Sequence, residues 1–359
     1  MKKVVYLLSV LVLLGSCTKQ ENVEQPKKAK NIILMIGDGM GVTQIYAAMS
    51  VAKEPLVFEQ FKYTGFHKTY SASDYVTDSG AGGTALSTGS KTNNLSIAVD
   101  TAGKPLKTIL EYAEDHQLAT GLVSTSSILH ATPADFIAHE KNRNDYENIA
   151  RDFLDVDIDI FIGGGRKQFA NRSDSLDLLD SLRQRQYHIV DGIENLDTQE
   201  NGKFAVFTAE VHNPSILEGR GDMLPQSTEK AIKILNKSDK GFFLMVEGSQ
   251  IDWGGHDNDI DYVTSELIDF EKAIRKALEF AKQDGETLVI VTADHETGGL
   301  TIVDGDMKTH TIETKFSTDH HTSVMVPVFA YGPGAENFGG IYENTDVFEK
   351  MMEAYGFTK

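Results

Sequence analysis

From Asn31 onward the chain alternates short apolar runs with longer stretches in which apolar positions recur every three or four residues. The short runs are Ile32–Ile36, Thr120–Val123, Ile158–Ile162, Phe242–Val246, Leu288–Val291 and Val326–Ala330. Several are nearly continuous in apolar character, the pattern of strands buried on both faces rather than one. Between them, Leu106–His116, Ser173–Gln186, Ser227–Leu235 and Asp261–Gln283 carry the amphipathic spacing of helices. Strands alternating with helices predict an α/β fold: a three-layer sandwich with a central, mostly parallel sheet and helices on both faces. No internal repeat or second long hydrophobic span interrupts the pattern. Because strands at both ends of the chain belong to it, residues 31–359 are expected to form one domain.

The segment before Asn31 reads differently. Lys2 and Lys3 precede an apolar run, Val4–Leu14, and then Leu14-Gly15-Ser16-Cys17. A basic start, a run too short to span a bilayer and small residues at its end are the marks of a cleavable export signal, here residues 1–16. Leu-Gly-Ser-Cys also resembles a bacterial lipoprotein box, which makes Cys17 the lipidated first residue of an exported, periplasmic or cell-surface protein anchored to a bacterial membrane. Polar residues 17–30 then form a tether. Cys17 is the only cysteine, so neither a disulfide scaffold nor a cysteine-ligated zinc site is available. The 359 residues carry a formal charge of −19, which falls to −21 once Lys2 and Lys3 are removed. Such an acid excess argues against nucleic-acid binding, which depends on Lys and Arg neutralising phosphates, and at first sight against any anionic substrate.

In an open parallel sheet, function gathers where strands give way to loops, and polar residues concentrate there. The first strand runs into Gly37-Asp38-Gly39-Met40-Gly41, a turn that leaves space around one carboxylate. Phe242–Val246 is followed by Glu247, Asp252 and His256 within ten residues; Asp252 and His256 are four apart, so a helical turn can bring both to one ion. Leu288–Val291 is followed by Asp294-His295, and Asp319-His320-His321-Thr322 precedes the last strand. Neighbouring residues point to opposite faces of a strand, so Asp294 and His295 converge only beyond its end. Each cluster alone fits a solvated loop, but their recurrence at successive strand ends points to a multimetal site. Imidazole with carboxylate suits zinc; carboxylate and hydroxyl oxygens suit magnesium. A candidate nucleophile lies in Thr77-Asp78-Ser79-Gly80-Ala81-Gly82-Gly83: if Ser79 opens a helix, free N–H groups and the helix dipole meet an anion there. Each glycine costs such a helix roughly 1 kcal/mol, and room for a phosphoryl group is the expected reason for them. His130-Ala131-Thr132-Pro133 and Arg143 follow, the arginine suited to a bidentate clamp if an anion lies nearby.

Taken in order, these motifs resemble the metal-dependent alkaline phosphatases over nearly the whole chain, from Asn31 to about Gly356. Carried over residue by residue, the resemblance implies a first zinc held by Asp252, His256 and His321, and a second by Asp38, Asp294 and His295. It implies magnesium held by Asp38, Thr132 and Glu247, with Ser79 as a phosphorylated nucleophile and Arg143 as a phosphate clamp oriented by Asp78. The implied reaction converts phosphate monoesters to alcohol and inorganic phosphate, which is both product and inhibitor, and the implied assembly is a homodimer. His321 rather than His320 fits the family's His-Thr pattern. Two positions depart from the enterobacterial form. His130 replaces a carboxylate beside the magnesium site, so zinc can substitute there, and Trp253 replaces a lysine that helps hold phosphate, so product is expected to leave more readily. The alternatives are a phosphodiesterase of the same superfamily and a noncatalytic phosphate- or metal-binding lipoprotein.

Overall fold

The computed structural model describes residues 28–199 and 201–358. The export signal and Cys17 lie outside the described residues. The chain order of strands is β1 (Asn31–Gly37), β2 (Tyr63–Lys68), β3 (Ala119–Ser127), β4 (Ile160–Gly164), β5 (Tyr187–Asp191), β6 (Lys203–Phe207), β7 (Phe242–Gly248) and β8 (Thr287–Thr292). Short pieces β9 (Glu296–Thr297), β10 (Thr301–Asp306), β11 (Thr311–Lys315) and β12 (His321–Thr322) follow, then β13 (Val326–Tyr331) and β14 (Gly340–Glu343). Ten of these form one sheet in the order β14-β2-β13-β8-β1-β7-β3-β4-β6-β5. β13 is antiparallel to both its neighbours, and every other pairing in the sheet is parallel.

The apolar runs are continuous because the sheet is covered twice. In β1, Ile32, Leu34 and Ile36 enter one hydrophobic cluster while Ile33 and Met35 enter another. β7 divides the same way, Phe243 and Met245 against Phe242, Leu244 and Val246. This is the two-residue period of a strand read on both faces. Helices Ile109–Asp115 and Thr345–Tyr355 cover the first face, and Met223–Leu235 and Ile260–Asp284 the second.

Helix ends follow local chemistry more closely than the apolar spacing. The helix expected from Leu106 starts at Ile109 because Thr108 and Glu111 form a reciprocal capping box. The one expected from Ser173 is shortened to Leu178–Gln184, since the Asp177 side chain accepts from the N–H groups of Leu179 and Asp180. The one expected from Ser227 begins earlier, at Met223, with Pro225 in its first turn, where no N–H donor is required. At the N-terminal side, Ala29 is already buried and its N–H bonds to the Ala354 carbonyl at 2.9 Å, so packing includes residues of the expected tether.

The parallel strands β1, β7, β3 and β8 adjoin in the middle of the sheet and end at one edge. Asp38 follows β1, Glu247 closes β7, Asp294 and His295 follow β8, and His130 and Thr132 follow β3. Residues as distant in sequence as Asp38 and His295 are thereby delivered to a single crevice.

Candidate active site

Helix Ser79–Thr88 opens the site. Asp78 is its N-cap: Oδ1 accepts from Ala81 N at 3.0 Å, and Oδ2 accepts from Leu95 N at 3.1 Å and from Arg143 Nη1 at 3.0 Å. One carboxylate thus fixes both the start of this helix and the guanidinium. Ser79, 1% exposed, places Oγ 3.3 Å from His295 Nε2. The glycines have a different cause from the one expected. A Cβ at Gly83 would stand 2.2 Å from Asp135 Oδ2, at Gly80 2.9 Å from the Ser96 carbonyl, and at Gly82 3.1 Å from Asp294. Space at these positions is filled by protein, so the small residues let the helix press onto the Asp294 loop and Asp135 rather than hold open a cavity.

Three groups of potential ligands surround this helix: Asp252, His256 and His321; Asp38, Asp294 and His295; and Asp38, His130 and Glu247, the ligand atoms of each lying within 4.8 Å of one another. In the first, Asp252 and His256 share helix Gln250–His256, while β12 pairs with β9 to bring in His321. His256 Nδ1 lies 2.7 Å from the Asp319 carbonyl and His321 Nδ1 2.9 Å from the Thr77 carbonyl. Both carbonyls call for a proton on Nδ1, which leaves the Nε2 lone pairs facing each other 3.1 Å apart beside Asp252. Facing lone pairs repel unless a cation lies between them; this carbonyl-imidazole arrangement is the outer shell of a metal site. Hydrogen bonding to Asp252 pulls His256 up to about 9, so a proton on Nε2 is the alternative to a cation at this place. His320, by contrast, is exposed and borders only Asp319.

The second and third groups share Asp38, which is fully buried with neither carboxylate oxygen hydrogen-bonded. Burial, then the charges of Asp294, Asp252 and Glu247, pushes its carboxyl well above the usual range. Burial and neighbouring acids likewise push Asp294 up to about 7. Asp294 Oδ1 accepts from the N–H groups of Gly39 and His295, but Oδ2 has no hydrogen bond. Glu247 Oε2 accepts from Ser124 Oγ and Ser249 Oγ, both at 2.6 Å, which aims the unbonded Oε1 elsewhere. Thr132 Oγ1 lies beside this carboxylate, buried and without a hydrogen bond of its own, as is His130 Nδ1. Five of the fifteen buried side-chain atoms without a hydrogen bond among the described residues therefore belong to these groups, and a sixth is Thr132 Oγ1 beside them. Buried polar atoms are ordinarily satisfied, and hard oxygens with imidazole nitrogens are the donor set for zinc and magnesium. The residues fit the metals expected of them.

Sequence reasoning did not find the Ser124 and Ser249 hydroxyls, Thr297, whose Oγ1 bonds Asp252 Oδ1 and approaches His295 Nδ1, or His212. Ser124 lies within β3 and Ser249 directly after β7, where an alternation argument could have flagged buried hydroxyls. His212 stands alone in a loop and carries no sequence signal. Its ring lies 5.1 Å from Trp253 and 5.9 Å from His130, which in turn are 6.2 Å apart, all nearly perpendicular.

A serine at the start of a helix whose N-cap carboxylate holds an arginine, ringed by carboxylate and imidazole clusters where the parallel strands end, is an arrangement suited to hydrolysing phosphate esters. The alkaline phosphatase family profile matches residues 29–314 and 304–357. Alkaline phosphatase 3 of Bacillus subtilis is 36% identical, over 90% of this chain and 88% of its own. The structure of alkaline phosphatase from the Antarctic bacterium TAB5 superposes with a TM-score of 0.89 and 44% identity, covering 93% of this chain and 100% of that one. A histidine-to-aspartate mutant of the same TAB5 enzyme, with Mg bound in the M3 site, superposes with a TM-score of 0.89 and 42% identity, covering 93% and 100%. The chain belongs to the alkaline phosphatase family, and is a metal-binding phosphoric monoester hydrolase.

Proposed function

We propose that this enzyme hydrolyses phosphate monoesters by two successive in-line displacements through a phosphoserine at Ser79. The observation that carries the reading is the convergence of unbonded, buried ligand atoms around a serine that opens a helix and whose N-cap, Asp78, holds Arg143. Asp252, His256 and His321 would hold one zinc and Asp38, Asp294 and His295 a second. Asp38, Thr132 and Glu247 would hold magnesium, with His130 close enough that zinc can take its place. When bound, such cations act as Lewis acids, lowering the pKa of a coordinated hydroxyl and offsetting charge on reacting oxygens.

The chain's own groups do the rest. Ser79 Oγ loses its proton and attacks phosphorus; an Oγ–P bond forms as the bond from phosphorus to the ester oxygen breaks, and the alcohol leaves with a proton from solvent. Water then attacks the same phosphorus, the Oγ–P bond breaks, and Ser79 regains its proton as inorganic phosphate departs. Two inversions give net retention. Arg143, fixed through Nη1 by Asp78, turns its remaining N–H groups to the nonbridging oxygens, and the free N–H groups of the first helical turn add donors where transition-state charge accumulates. A dianionic monoester gains most from this set of donors, which favours it over a diester.

This reading extends to location: export directed by residues 1–16, lipidation at Cys17 and a tether to the catalytic domain at residues 31–359 would hold the enzyme at a bacterial membrane, as a homodimer. Among the described residues no helix is long and apolar enough to cross a membrane. Rapid quenching of the metal-loaded enzyme with a monoester, followed by peptide mass analysis, should find phosphate on Ser79 and none in Ser79→Ala. Turnover by Ser79→Ala at the wild-type rate would sink the covalent mechanism. Faster cleavage of a diester than of its matching monoester would sink the substrate class.

A further inference from the structure

The loop between β6 and helix Met223–Leu235 brings His212 to the mouth of the site, and an unusual number of bonds holds it there. Asn213 Nδ2 donates to the Thr125 carbonyl at 3.2 Å, and Gln250 Nε2 donates to the Asn213 carbonyl at 3.0 Å. Ile216 N donates to Glu266 Oε1, while Arg220, buried, pairs with Glu266 and Asp269 on the neighbouring helix. Within this frame, the backbone N–H of Ser127 donates to His212 Nδ1 at 3.0 Å. A neutral imidazole has one acceptor and one donor nitrogen. Since Nδ1 accepts, Nε2 carries the hydrogen, and no hydrogen bond from it to protein is formed among the described residues.

The ring's neighbours place that donor. His212 meets Trp253 and His130 edge-on, and His130 Nε2 is 3.4 Å from Arg143 Nη2, on the far side of the guanidinium from Asp78. We infer that His212 is a positioning and specificity residue of the phosphoryl pocket: its Nε2–H, aimed by Ser127, is an uncharged donor that reaches phosphate through a water along the wall formed by Trp253 and His130. This rests on the placing of phosphate against Arg143 and adds to it a second, neutral point of attachment. The chemistry selects a small tetrahedral oxyanion with an oxygen to spare beyond those held by Arg143 and the helix N–H groups. It also gives Trp253 a defined ring orientation, with a histidine edge on each side.

The test uses the fact that Trp253 is the only tryptophan in the chain, so intrinsic emission reports on this wall alone. The metal-loaded enzyme is titrated with inorganic phosphate while Trp253 fluorescence is followed, in wild type, His212→Asn and His212→Gln. Asparagine keeps an acceptor near Nδ1 for the Ser127 N–H but has no atom at Nε2; glutamine puts an N–H near Nε2. One lost hydrogen bond predicts phosphate binding about tenfold weaker in His212→Asn, with glutamine recovering most of it, and KM for a monoester should move with it more than kcat does. Equal binding in all three proteins, or an equal loss in both variants, overturns the donor role. Arg143→Ala serves as the control for the underlying placement: if it binds phosphate like wild type, the placement itself fails, whereas failure of His212→Asn alone removes only the role of His212. Thermal unfolding confirms that each variant is folded.

Discussion

Gly39 is the position where the most machinery depends on the least side chain. Its N–H donates to Asp294 Oδ1 at 3.3 Å and its carbonyl accepts from Thr297 N at 3.2 Å, so it joins the β1 turn to both halves of the segment after β8. A Cβ here would stand 2.7 Å from Asp252 Cα, 2.8 Å from Thr297 Oγ1 and 3.0 Å from Asp252 Cβ. The first of those is backbone in helix Gln250–His256 and has no rotamer by which to escape. Its φ of +72° adds the left-handed penalty, about 1–2 kcal/mol for a residue with a side chain. Overpacking adds roughly 1–3 kcal/mol, so Gly39→Ala should cost about 2–5 kcal/mol. At about 2 cal/mol/K of unfolding entropy per residue, that is a fall in Tm of roughly 3–7 °C for a domain of this size. Because relief requires moving Asp252 away from His256 and His321, the loss should be accompanied by reduced metal content. Calorimetry and metal analysis of the gel-filtered protein measure both. A variant with wild-type Tm and metal content would show that the turn accommodates a methyl group, and the close approach would then not explain the glycine.

Arg220→Met leaves Glu266 and Asp269 buried without their counter-charge; losing one partner of a buried pair costs about 3–5 kcal/mol, read as a lowered denaturation midpoint, and an unchanged midpoint would contradict it. Asp135 is buried, with Oδ1 accepting from Thr84 and Oδ2 unbonded, and burial holds its carboxyl well above the usual range. The folded state therefore keeps a proton that the unfolded chain has released, so stability falls as pH rises from the unfolded value of about 4 toward the folded one. Asp135→Asn should match wild type in acid and exceed it in Tm at neutral and alkaline pH; a constant difference at every pH would refute the titration argument. Ser124→Ala with Ser249→Ala strips Glu247 Oε2 of both donors, and magnesium affinity should fall about 10–100-fold, measured by metal titration. Trp253→Lys adds a cation near Arg143 and should tighten inhibition by inorganic phosphate; an unchanged inhibition constant would remove Trp253 as the reason for ready release.

The sheet was legible because both its faces are covered. Runs such as Ile32–Ile36 and Phe242–Val246 have no polar interruption, and nothing but a doubly covered strand suits them. Among the strands that sequence reading passed over, β14 and β5 are the sheet's two edges and β2 is half-exposed, so their residues mix apolar and polar types without a readable period; β6 was passed over as well, although Phe204–Phe207 is a short apolar run buried on both faces. Ligand candidates were legible for a related reason. Asp38, Asp294 and His295 follow strands buried on both sides, where a charged residue has no ordinary purpose. His212 follows the outlying strand β6 by five residues and owes its place to bonds from Ser127, Thr125 and Gln250, all distant in sequence. No local pattern encodes that.

The acid excess first argued against an anionic substrate, and the structure shows why that inference fails. Charge acts through position, not through the sum. Asp38, Glu247 and Asp294 are fully buried and Asp252 is 4% exposed, so none of them repels a ligand through solvent as a surface carboxylate does. Burial with mutual repulsion instead drives Asp38 and Asp294 upward, because ionised carboxylates packed together are unfavourable until a proton or a divalent cation offsets their charge. Divalent cations relieve it more fully, and bound cations then dominate the local field. Two consequences belong together: the same carboxylates that make the chain acidic make the crevice attractive to phosphate, and they tie folding to metal. A ligand that binds only the folded state adds stability in proportion to the logarithm of its concentration over its dissociation constant. Chelation should therefore lower Tm progressively with chelator strength, and Asp38→Ala, which removes the carboxylate shared by two clusters, should make Tm less sensitive to chelator than any change confined to one of them.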